Sequence, residues 1–368
     1  MNNDRLRWWI GFALILMGLV LVVTFAARYF NAATIVPDNS AAALSTDATV
    51  PPSPPATTPI PTPGSTSAPS LVATAAPGLK PTVLTDTNVE DEPSPKPKSA
   101  PALQFEGELA YEHVLTQVAI GPRPTGSEAG WATGDFIIEE LERLGWQAES
   151  QEFFFKGVRG RNIIGRRDGS RGPLIIIGAH YDTRPAADQD PAEALRTQWI
   201  DGANDGASGV AVLLELARVL ETEKVQNQVW LAFFDAEDRG RLEGWPFSVG
   251  ARHLAENLAV NPQSVVVVDM IGDADQQIYF ERNSTEELSV DIWNTAAELG
   301  YSAYFIPESK HTIIDDHVPF LERLIPAVDI IDFDYPYWHT VEDTADKVAP
   351  ESLERVGHTL EVWLEEKQ

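Results

Sequence analysis

The sequence predicts an α/β sandwich built on a largely parallel sheet, and two features of its pattern support that prediction. First, helix-like segments alternate with short runs rich in β-branched residues from residue 104 onward, as in a sheet covered by helices. Second, the central runs are apolar throughout, which is typical of strands buried on both faces. The predicted helices are 107–119, 128–145, 209–223, 285–299 and 350–366, and the predicted strands are 174–178, 229–234, 265–268 and 327–331.

Composition divides the 368 residues into three parts, 1–30, 31–103 and 104–368. The last part holds 48 of the 55 acidic residues but only 21 of the 27 basic ones, a net charge of −27, and is long enough to bury a large core. Such an acidic surface repels phosphate groups, so we expect no nucleic-acid partner. The chain has no cysteine, which excludes disulfides and thiolate ligands and leaves His, Asp and Glu to bind any metal.

Residues 1–30 are predicted to be a cytoplasmic stub followed by a transmembrane anchor. Residues 8–27 carry no charge and are flanked by Arg7 and Arg28, and about 20 apolar residues cross a bilayer as a helix. A cleaved signal peptide would have a shorter apolar run followed by small residues. Because Arg5 and Arg7 outweigh Asp4, we place the amino end in the cytoplasm. The expected protein is single-pass and membrane-anchored, with its main domain extracytoplasmic.

Residues 31–103 are predicted to be a disordered linker. They hold 15 of the 27 prolines and are otherwise rich in Thr, Ser and Ala, with no apolar period. Such a segment cannot bury enough surface to offset its ordering entropy, and partial polyproline II structure makes it a semi-stiff tether.

Carboxylate and imidazole side chains follow the predicted strands at the point where each strand ends. The first strand leads into His180 and Asp182, the second into Glu237 and Asp238, the third into Asp269, and the last is followed by His339. Asp205 precedes the helix predicted at 209–223. In largely parallel sheets the chemistry lies beyond the carboxyl ends of the strands, so we expect these side chains to meet there.

These residue types suit zinc, which takes nitrogen and oxygen ligands. The candidate ligands are His180, Asp205, Asp238, Asp269 and His339, which come from separate segments and form no local metal motif. Asp182 lies two residues beyond His180 on the same strand face and could orient that imidazole. Next to Asp238, Glu237 could serve as general base and acid.

Other interpretations stay open for two of these residues, whereas two other enzyme classes are disfavoured. Asp205 precedes a glycine and could be a turn residue or a helix cap, and Asp269 could simply end its strand in a turn. The sequence has no Gly-x-Ser-x-Gly elbow, no dinucleotide glycine fingerprint and no P-loop. A serine hydrolase or a nucleotide enzyme is therefore not expected.

At these positions the sequence resembles metallopeptidase family 28, which includes zinc aminopeptidases and glutaminyl-peptide cyclotransferases. The resemblance covers about residues 110–366 and rests on four segments in the family's order. They are Gly178-Ala-His-Tyr-Asp-Thr, Gly202-Ala-Asn-Asp-Gly-Ala-Ser-Gly, Phe233-Phe-Asp-Ala-Glu-Asp and Trp338-His-Thr-Val-Glu-Asp-Thr. It implies a three-layer α/β/α sandwich around a mixed, largely parallel sheet, with zinc at the strand ends and peptide amino termini as substrates.

The two branches of the family imply different metal sites. In the aminopeptidase branch two zinc ions share Asp205. One ion adds His180 and Asp269, and the other adds Asp238 and His339. Glu237 would activate water against the first peptide bond. In the cyclotransferase branch a single zinc ion takes Asp205, Asp238 and His339, and Glu237 moves a proton to departing ammonia while an amino-terminal Gln closes to pyroglutamate.

Three residues favour the cyclotransferase branch. Asp315 resembles a residue that shares a catalytic hydrogen-bond network with the counterpart of Asp269, where aminopeptidases more often carry Ser. Trp338, directly before His339, and Trp245 resemble tryptophans that wall the small substrate pocket. The sequence therefore predicts a glutaminyl-peptide cyclotransferase, with a zinc aminopeptidase as the alternative. A metal-free binding module is the remaining hypothesis, and it is disfavoured because every ligand position holds a competent residue.

Overall fold

The computed structural model describes residues 104–167, 171–221 and 224–366, which form a six-stranded central sheet, a two-stranded sheet and the helices around them. The strands are β1 Gln147–Phe155, β2 Val158–Arg166, β3 Leu174–His180, β4 Gln228–Phe234, β5 Ser264–Asp269, β6 Ile278–Phe280, β7 Phe305–Ser309 and β8 Ala327–Ile331. The helices are α1 Gly107–Ile120, α2 Glu128–Arg143, α3 Ser208–Val219, α4 Val249–Asn257, α5 Glu286–Glu298, α6 Val318–Leu321 and α7 Pro350–Glu366.

The central sheet is mixed and mostly parallel, as predicted. Its strand order is β1-β2-β4-β3-β5-β8. The four strands β4, β3, β5 and β8 run parallel, whereas β2 pairs antiparallel with both β1 and β4. All four predicted strands lie in the parallel part, so their carboxyl ends meet at one edge of the sheet.

Helices cover both faces of this sheet, which gives the three-layer arrangement. Ile175 and Ile177 of β3 point into a large apolar cluster with α1, α2, α3, α5 and α7. Ile176, between them, points into a second cluster with α4 and α6 on the opposite face. Every residue of β3 and β5 is buried, which confirms the prediction that uniformly apolar runs are central strands.

The antiparallel hairpin of β1 and β2 was not predicted from the sequence. Both strands carry charged residues along their length, and β1 is largely solvent-exposed, so no apolar run marks it. The signal that could have found the hairpin is its two-residue turn, in which Lys156 and Gly157 both have positive φ, +47° and +81°. A two-residue turn with two left-handed residues matches the twist of an antiparallel pair.

The predicted helices are all present; α7 has the predicted bounds, whereas the other four differ at one or both ends. Helix α2 begins at Glu128 because the Ser127 hydroxyl accepts a hydrogen bond from the Gly130 N–H at 3.0 Å. Helix α3 ends at Val219, before the predicted 223, because Leu220 leaves helical geometry with ψ at 114°. The short helices α4 and α6 were not predicted.

The predicted anchor at 1–30 and the predicted linker at 31–103 lie outside the described residues. In residues 104–167, 171–221 and 224–366, no helix has the length and apolar character to cross a membrane.

Candidate metal centre and substrate cavity

The fold brings the predicted ligands together at the carboxyl edge of the parallel strands. His180 is the last residue of β3 and Asp269 the last residue of β5. Glu237 and Asp238 lie in the loop after β4, and His339 lies in the loop after β8. The loop with Asp205 reaches this edge because Gly209 lets α3 approach β5. A Cβ atom at Gly209 would lie only 2.4 Å from the Val268 carbonyl oxygen.

Two groups of potential metal donors share Asp205. In the first, the His180 group, His180 Nε2 lies 3.1 Å from Asp269 Oδ1 and 3.2 Å from Asp205 Oδ1. In the second, the His339 group, His339 Nε2 lies 2.9 Å from Asp238 Oδ1 and 3.6 Å from Asp205 Oδ2. Each group provides one imidazole and two carboxylates, all buried and within 4.8 Å of one another. The two oxygens of Asp205 therefore point to different groups.

The donor types of both groups suit zinc, and two carboxylate oxygens of the His339 group indicate a cation there. Asp205 Oδ2 and Asp238 Oδ2 are buried and have no hydrogen-bond partner among the described residues. A buried carboxylate oxygen without a donor is costly, and a cation relieves that cost. Nitrogen and oxygen donors at such spacing are the ligands of zinc sites.

The electrostatics of the centre also favour the binding of a cation. Burial, together with the charge of Asp205, raises the pKa of Asp238 to about 6. Burial, opposed by His180 but reinforced by Asp315, raises the pKa of Asp269 to about 7. Carboxylates that repel each other in a low dielectric hold protons until a cation replaces them. A divalent ion close to Asp238 and Asp269 would lower both pKa values and favour the ionised carboxylates.

Asp182 positions the centre mainly through hydrogen bonds to the main chain. Its carboxylate accepts the backbone N–H groups of Glu237 at 3.0 Å and Asp238 at 3.2 Å. Its own carbonyl oxygen lies 3.1 Å from His180 Nδ1, closer than its carboxylate oxygen at 3.7 Å. The sequence predicts that Asp182 orients His180. In the structure it does so more through its backbone carbonyl than through its carboxylate, and His180 Nε2 is left facing the other donor atoms.

Two supporting residues were missed from the sequence. Asp343 accepts the backbone N–H groups of Asn204 at 2.9 Å and Asp205 at 3.1 Å, and it accepts the hydroxyl of Tyr335 at 2.7 Å. Asp188 lies 3.4 Å from His339 Nδ1. Asp343 lies four residues after His339 in the sequence. Only the fold shows that it fixes the loop that carries Asp205.

A cavity of about 340 Å³ opens over the donor groups. Its lining residues are Asp205, Glu237, Asp238, Arg241, Phe247, Asp269, Met270, Thr312, Ile313, Ile314, Asp315, Ile331, Phe333, Trp338 and His339. The ring of Trp338 stacks on that of His339, with centroids 3.8 Å apart and planes inclined by 26°. This volume is at the lower end for ligand pockets, so it suits one or two amino-acid residues better than a long peptide.

The structure does not bring Trp245 to this cavity. Trp245 is 4% exposed and packs with Phe153 and Val249 in an apolar cluster behind the loop. Two residues further on, Phe247 lines the cavity. The predicted role of Trp245 in the pocket wall is therefore corrected: Trp245 anchors the loop, and Phe247 is its aromatic residue at the cavity.

Asp315 connects the cavity to a buried acidic cluster that consists of Asp315, Asp316 and Asp329 around His317. All four residues are at most 2% exposed. Burial and the charge of Asp315 raise the pKa values of Asp316 and Asp329 well above the usual range. His317 Nε2 lies 3.1 Å from the carboxylate of Glu281. Asp315 therefore belongs both to this buried cluster and to the cavity lining, which it shares with Glu237 and Asp269.

The fold and the site define a metal-dependent α/β enzyme, and comparison with known proteins gives its family. Residues 162–364 match Peptidase family M28, and the chain belongs to this family. It is 27% identical over 263 residues to the glutaminyl-peptide cyclotransferase of Drosophila melanogaster, an alignment covering 62% of this chain and 72% of that protein. It is 26% identical over 280 residues to aminopeptidase YwaD of Bacillus subtilis (strain 168), covering 71% of this chain but 57% of that relative's length.

A solved structure with the same fold is the glutaminyl cyclase of Porphyromonas gingivalis. It superposes with a TM-score of 0.68 at 33% identity and covers 72% of this chain and 99% of that one. Together with the family match and the donor groups, these relatives show that the chain is a zinc-dependent enzyme acting on peptide amino termini.

Proposed function

We propose that this enzyme is a glutaminyl-peptide cyclotransferase, which converts an amino-terminal Gln to pyroglutamate and releases ammonia. The observation that carries the proposal is Asp315, which lines the cavity together with Glu237 and Asp269. In the resemblance to the family, an acidic residue at this position favours the cyclotransferase branch. The cyclotransferases and glutaminyl cyclases among the similar proteins support the same choice.

The His339 group, with Asp205 and Asp238, would hold one zinc ion. Bound there, zinc would supply a Lewis acid to polarise the γ-carbonyl group of the substrate glutamine. The substrate itself supplies the nucleophile, because its α-amine attacks the carbon of its own side-chain amide. Since the two reacting groups are tethered, much of the entropic cost of bringing them together is already met.

Glu237 is placed to move the proton in this reaction. It is 6% exposed, lines the cavity and follows β4 directly before Asp238. Burial, with the nearby charge of Asp315, raises its pKa well above the usual range, which suits a carboxylate that both accepts and returns a proton. Glu237 would take a proton from the α-amine as the carbon–nitrogen bond forms. It would then deliver that proton to the amide nitrogen, which leaves as ammonia.

The cavity walls would hold a compact substrate in a folded conformation. Trp338 and Phe333 pack against each other with ring centroids 5.1 Å apart and form one apolar side. Phe247 and Ile313 line the cavity as well. Such walls exclude water, and water must stay away for cyclisation to prevail over hydrolysis.

Aminopeptidase activity is the second candidate, and the complete His180 group is the observation that favours it. His180 and Asp269 lie 3.1 Å apart and, with Asp205, could hold a second zinc ion. Replacement of His180 by Gln separates the two functions. A two-zinc aminopeptidase would lose one of its two zinc ions with most of its activity, whereas a one-zinc cyclotransferase would keep its zinc.

Release of ammonia from peptides with free and blocked amino termini tests the proposal. Zinc-loaded enzyme should release ammonia from a Gln-initiated peptide but none from its N-acetylated form, because the acetyl group removes the nucleophile. Ammonia from both peptides would indicate an amidase, and free glutamine would indicate an aminopeptidase. Either result would contradict the proposal. Glu237→Gln, which keeps the size of the side chain, should abolish ammonia release.

We also infer that residues 1–30 anchor the enzyme in a membrane, with residues 31–103 as the tether and the catalytic domain outside the cytoplasm. The uncharged stretch 8–27 and the proline-rich composition after it support this arrangement. In cells producing the full-length chain, the enzyme should stay with membranes after an alkaline wash, and protease added outside the cytoplasmic membrane should cleave the tether. Recovery in the washed soluble fraction would contradict the anchor.

A further inference from the structure

One basic side chain, that of Arg241, lines a cavity otherwise rich in carboxylates. The lining includes five acidic residues, which are Asp205, Glu237, Asp238, Asp269 and Asp315. Within the described residues, the guanidinium of Arg241 is the only permanently cationic group of this lining. The side chain is exposed, so it lies at the mouth of the cavity and not at its floor. Its position is therefore suited to the part of a peptide that extends outward from the reacting terminus.

Arg241 has no ionic partner in the described part of the chain, although the domain is strongly acidic; its guanidinium lies over the ring of Phe247, 5.7 Å from the ring centroid. The neighbouring arginines are paired: Arg239 contacts Glu243, and Arg184 contacts Asp188 at 2.7 Å. Arg241 forms neither an ion pair nor a side-chain hydrogen bond there. A guanidinium offers a planar fork of donors that matches a carboxylate, so one without an ionic partner at a substrate cavity can bind a carboxylate group.

The loop that carries Arg241 is held in a fixed and strained conformation. Arg241 has φ +66° and ψ −16°, and its N–H donates to the Trp245 carbonyl at 2.7 Å. Trp245 in turn is buried in the cluster behind the loop. At Gly240 the backbone lies against Phe247, because a Cβ atom there would be 2.2 Å from the ring. Strain of this kind persists where the surroundings fix the backbone, and it is common at functional sites.

We infer that Arg241 binds a carboxylate of the substrate and makes the enzyme selective for acidic peptides. The inference rests on the proposed function, in which the amino-terminal residue lies over Glu237 and the donor groups. The carboxylate would come from an Asp or Glu side chain shortly after the terminal Gln, or from the carboxyl end of a very short peptide. The selectivity runs against the net charge of the domain, which by itself attracts basic peptides.

A peptide series measured on the full-length enzyme tests this inference. The peptides are Gln-Ala-Gln-amide, Gln-Glu-Ala-amide, Gln-Ala-Glu-amide, Gln-Lys-Ala-amide and Gln-Ala with a free carboxyl terminus. We expect kcat/KM to be about fivefold higher for at least one carboxylate-bearing peptide than for the neutral one, the size of a partly exposed ion pair. A preference for the two amide-capped acidic peptides would show that Arg241 binds a side-chain carboxylate. A preference for the uncapped dipeptide would show that it binds the carboxyl terminus.

Substitutions at Arg241 then identify the group responsible. Arg241→Gln should bring the acidic-to-neutral ratio close to one, Arg241→Glu should invert it, and Arg241→Lys should keep part of it. Arg323→Gln is the matched control, because Arg323 is also exposed and forms no ion pair within the described residues but lies outside the cavity lining. This control removes the same charge from the domain and should leave the ratio unchanged.

The outcomes separate this inference from the proposed function. Cyclisation with no preference for acidic peptides, or with a preference that persists in Arg241→Gln, would overturn the role of Arg241 and leave the cyclotransferase intact. Release of the terminal residue would overturn the proposed cyclotransferase activity. The ratio of kcat/KM between acidic and neutral peptides can still be measured on that hydrolysis. If no turnover occurs, peptide affinities measured by calorimetry give the ratio directly, and equal affinities would overturn the inference.

Discussion

Asp205 is the residue on which both donor groups depend. Its two carboxylate oxygens face different imidazoles, those of His180 and His339, and Asp343 fixes the loop beneath it. Asp205→Asn keeps the shape of the side chain but removes its charge, so neither group retains two carboxylates. We expect the variant to lose bound zinc and activity together while it stays folded.

Metal analysis of purified Asp205→Asn by mass spectrometry checks this prediction. Asp201→Asn, four residues earlier, makes the same chemical change outside the cavity lining and should keep the wild-type zinc content. Full zinc occupancy in Asp205→Asn, with circular dichroism unchanged, would show that Asp205 is not a shared ligand.

Asp315 is expected to act on the chemical step and not on metal binding. It lines the cavity together with Glu237, and its charge adds to burial, the larger cause, in raising the pKa of the Glu237 carboxyl group. Asp315→Asn removes this charge and therefore lowers the pKa of Glu237. Glu237 then becomes a weaker base towards the α-amine. We expect kcat for cyclisation to fall by about 100-fold, within the range of acid–base effects. Unchanged zinc content serves as the control, and undiminished turnover would dismiss the role.

The sequence predicts the candidate ligands and one residue that supports them, Asp182, but not the other two supporting residues. The five candidate ligands could be named because each follows a strand or precedes a helix at the same edge of a parallel sheet. The roles of Asp188 and Asp343 depend on contacts between distant loops, which no spacing reveals. Trp245 and Phe247 could not be distinguished either, because left-handed residues such as Arg241 turn the loop and decide which ring reaches the cavity.

Among the elements, Glu281 joins three segments next to the acidic cluster. This carboxylate, directly after β6, accepts backbone N–H groups of Asn283 at 2.9 Å, Ser284 at 2.8 Å and Ile313 at 2.8 Å, and it contacts His317. Although burial opposes ionisation, these hydrogen bonds lower the pKa of Glu281 to about 2, from an ordinary value of 4.5. The ionised form therefore holds the start of α5 and the segment before α6 in place.

Glu281→Gln is expected to lower the free energy of unfolding by about 2–4 kcal/mol at neutral pH, since buried donors lose a charged acceptor. A carboxylate with a depressed pKa stabilises the fold above 4.5, and this contribution is lost as the pH falls towards 2. The stability difference between wild type and variant should therefore shrink over that range.

Denaturant unfolding between pH 7 and pH 3 measures the effect. Glu287→Gln is the control, because Glu287 is exposed on α5 and should change stability little at any pH. A difference for Glu281→Gln that stays constant with pH would show that ionisation of Glu281 does not stabilise these segments.

The parallel core of the fold could be predicted, whereas its edge could not. Buried strands such as β3 and β5 show as uninterrupted apolar runs, and the amphipathic helices between them show by their period. The exposed edge strand β1 carries no such pattern, and only the Lys156-Gly157 turn marks the hairpin. Helix α6 has four residues, too few for a period to appear.

At the scale of the whole molecule, the sequence predicts the family but leaves the number of metal ions open. Both donor groups are complete, so ligand identity alone permits one or two zinc ions. The number of bound ions depends on the zinc affinity of each donor group. The two affinities are coupled because both groups use Asp205. The choice between cyclisation and hydrolysis depends on how water is excluded from a cavity of about 340 Å³, and that is a property of the assembled walls.

The most direct test of the cyclotransferase proposal is mass spectrometry of a mixture of one Gln-initiated and one Leu-initiated peptide after incubation with the zinc-loaded, full-length enzyme. We expect the Gln peptide to lose one ammonia with its chain intact and the Leu peptide to remain unchanged, and we expect neither change with Glu237→Gln. Release of free leucine or free glutamine, with shortened peptides, would contradict the proposal and establish an aminopeptidase.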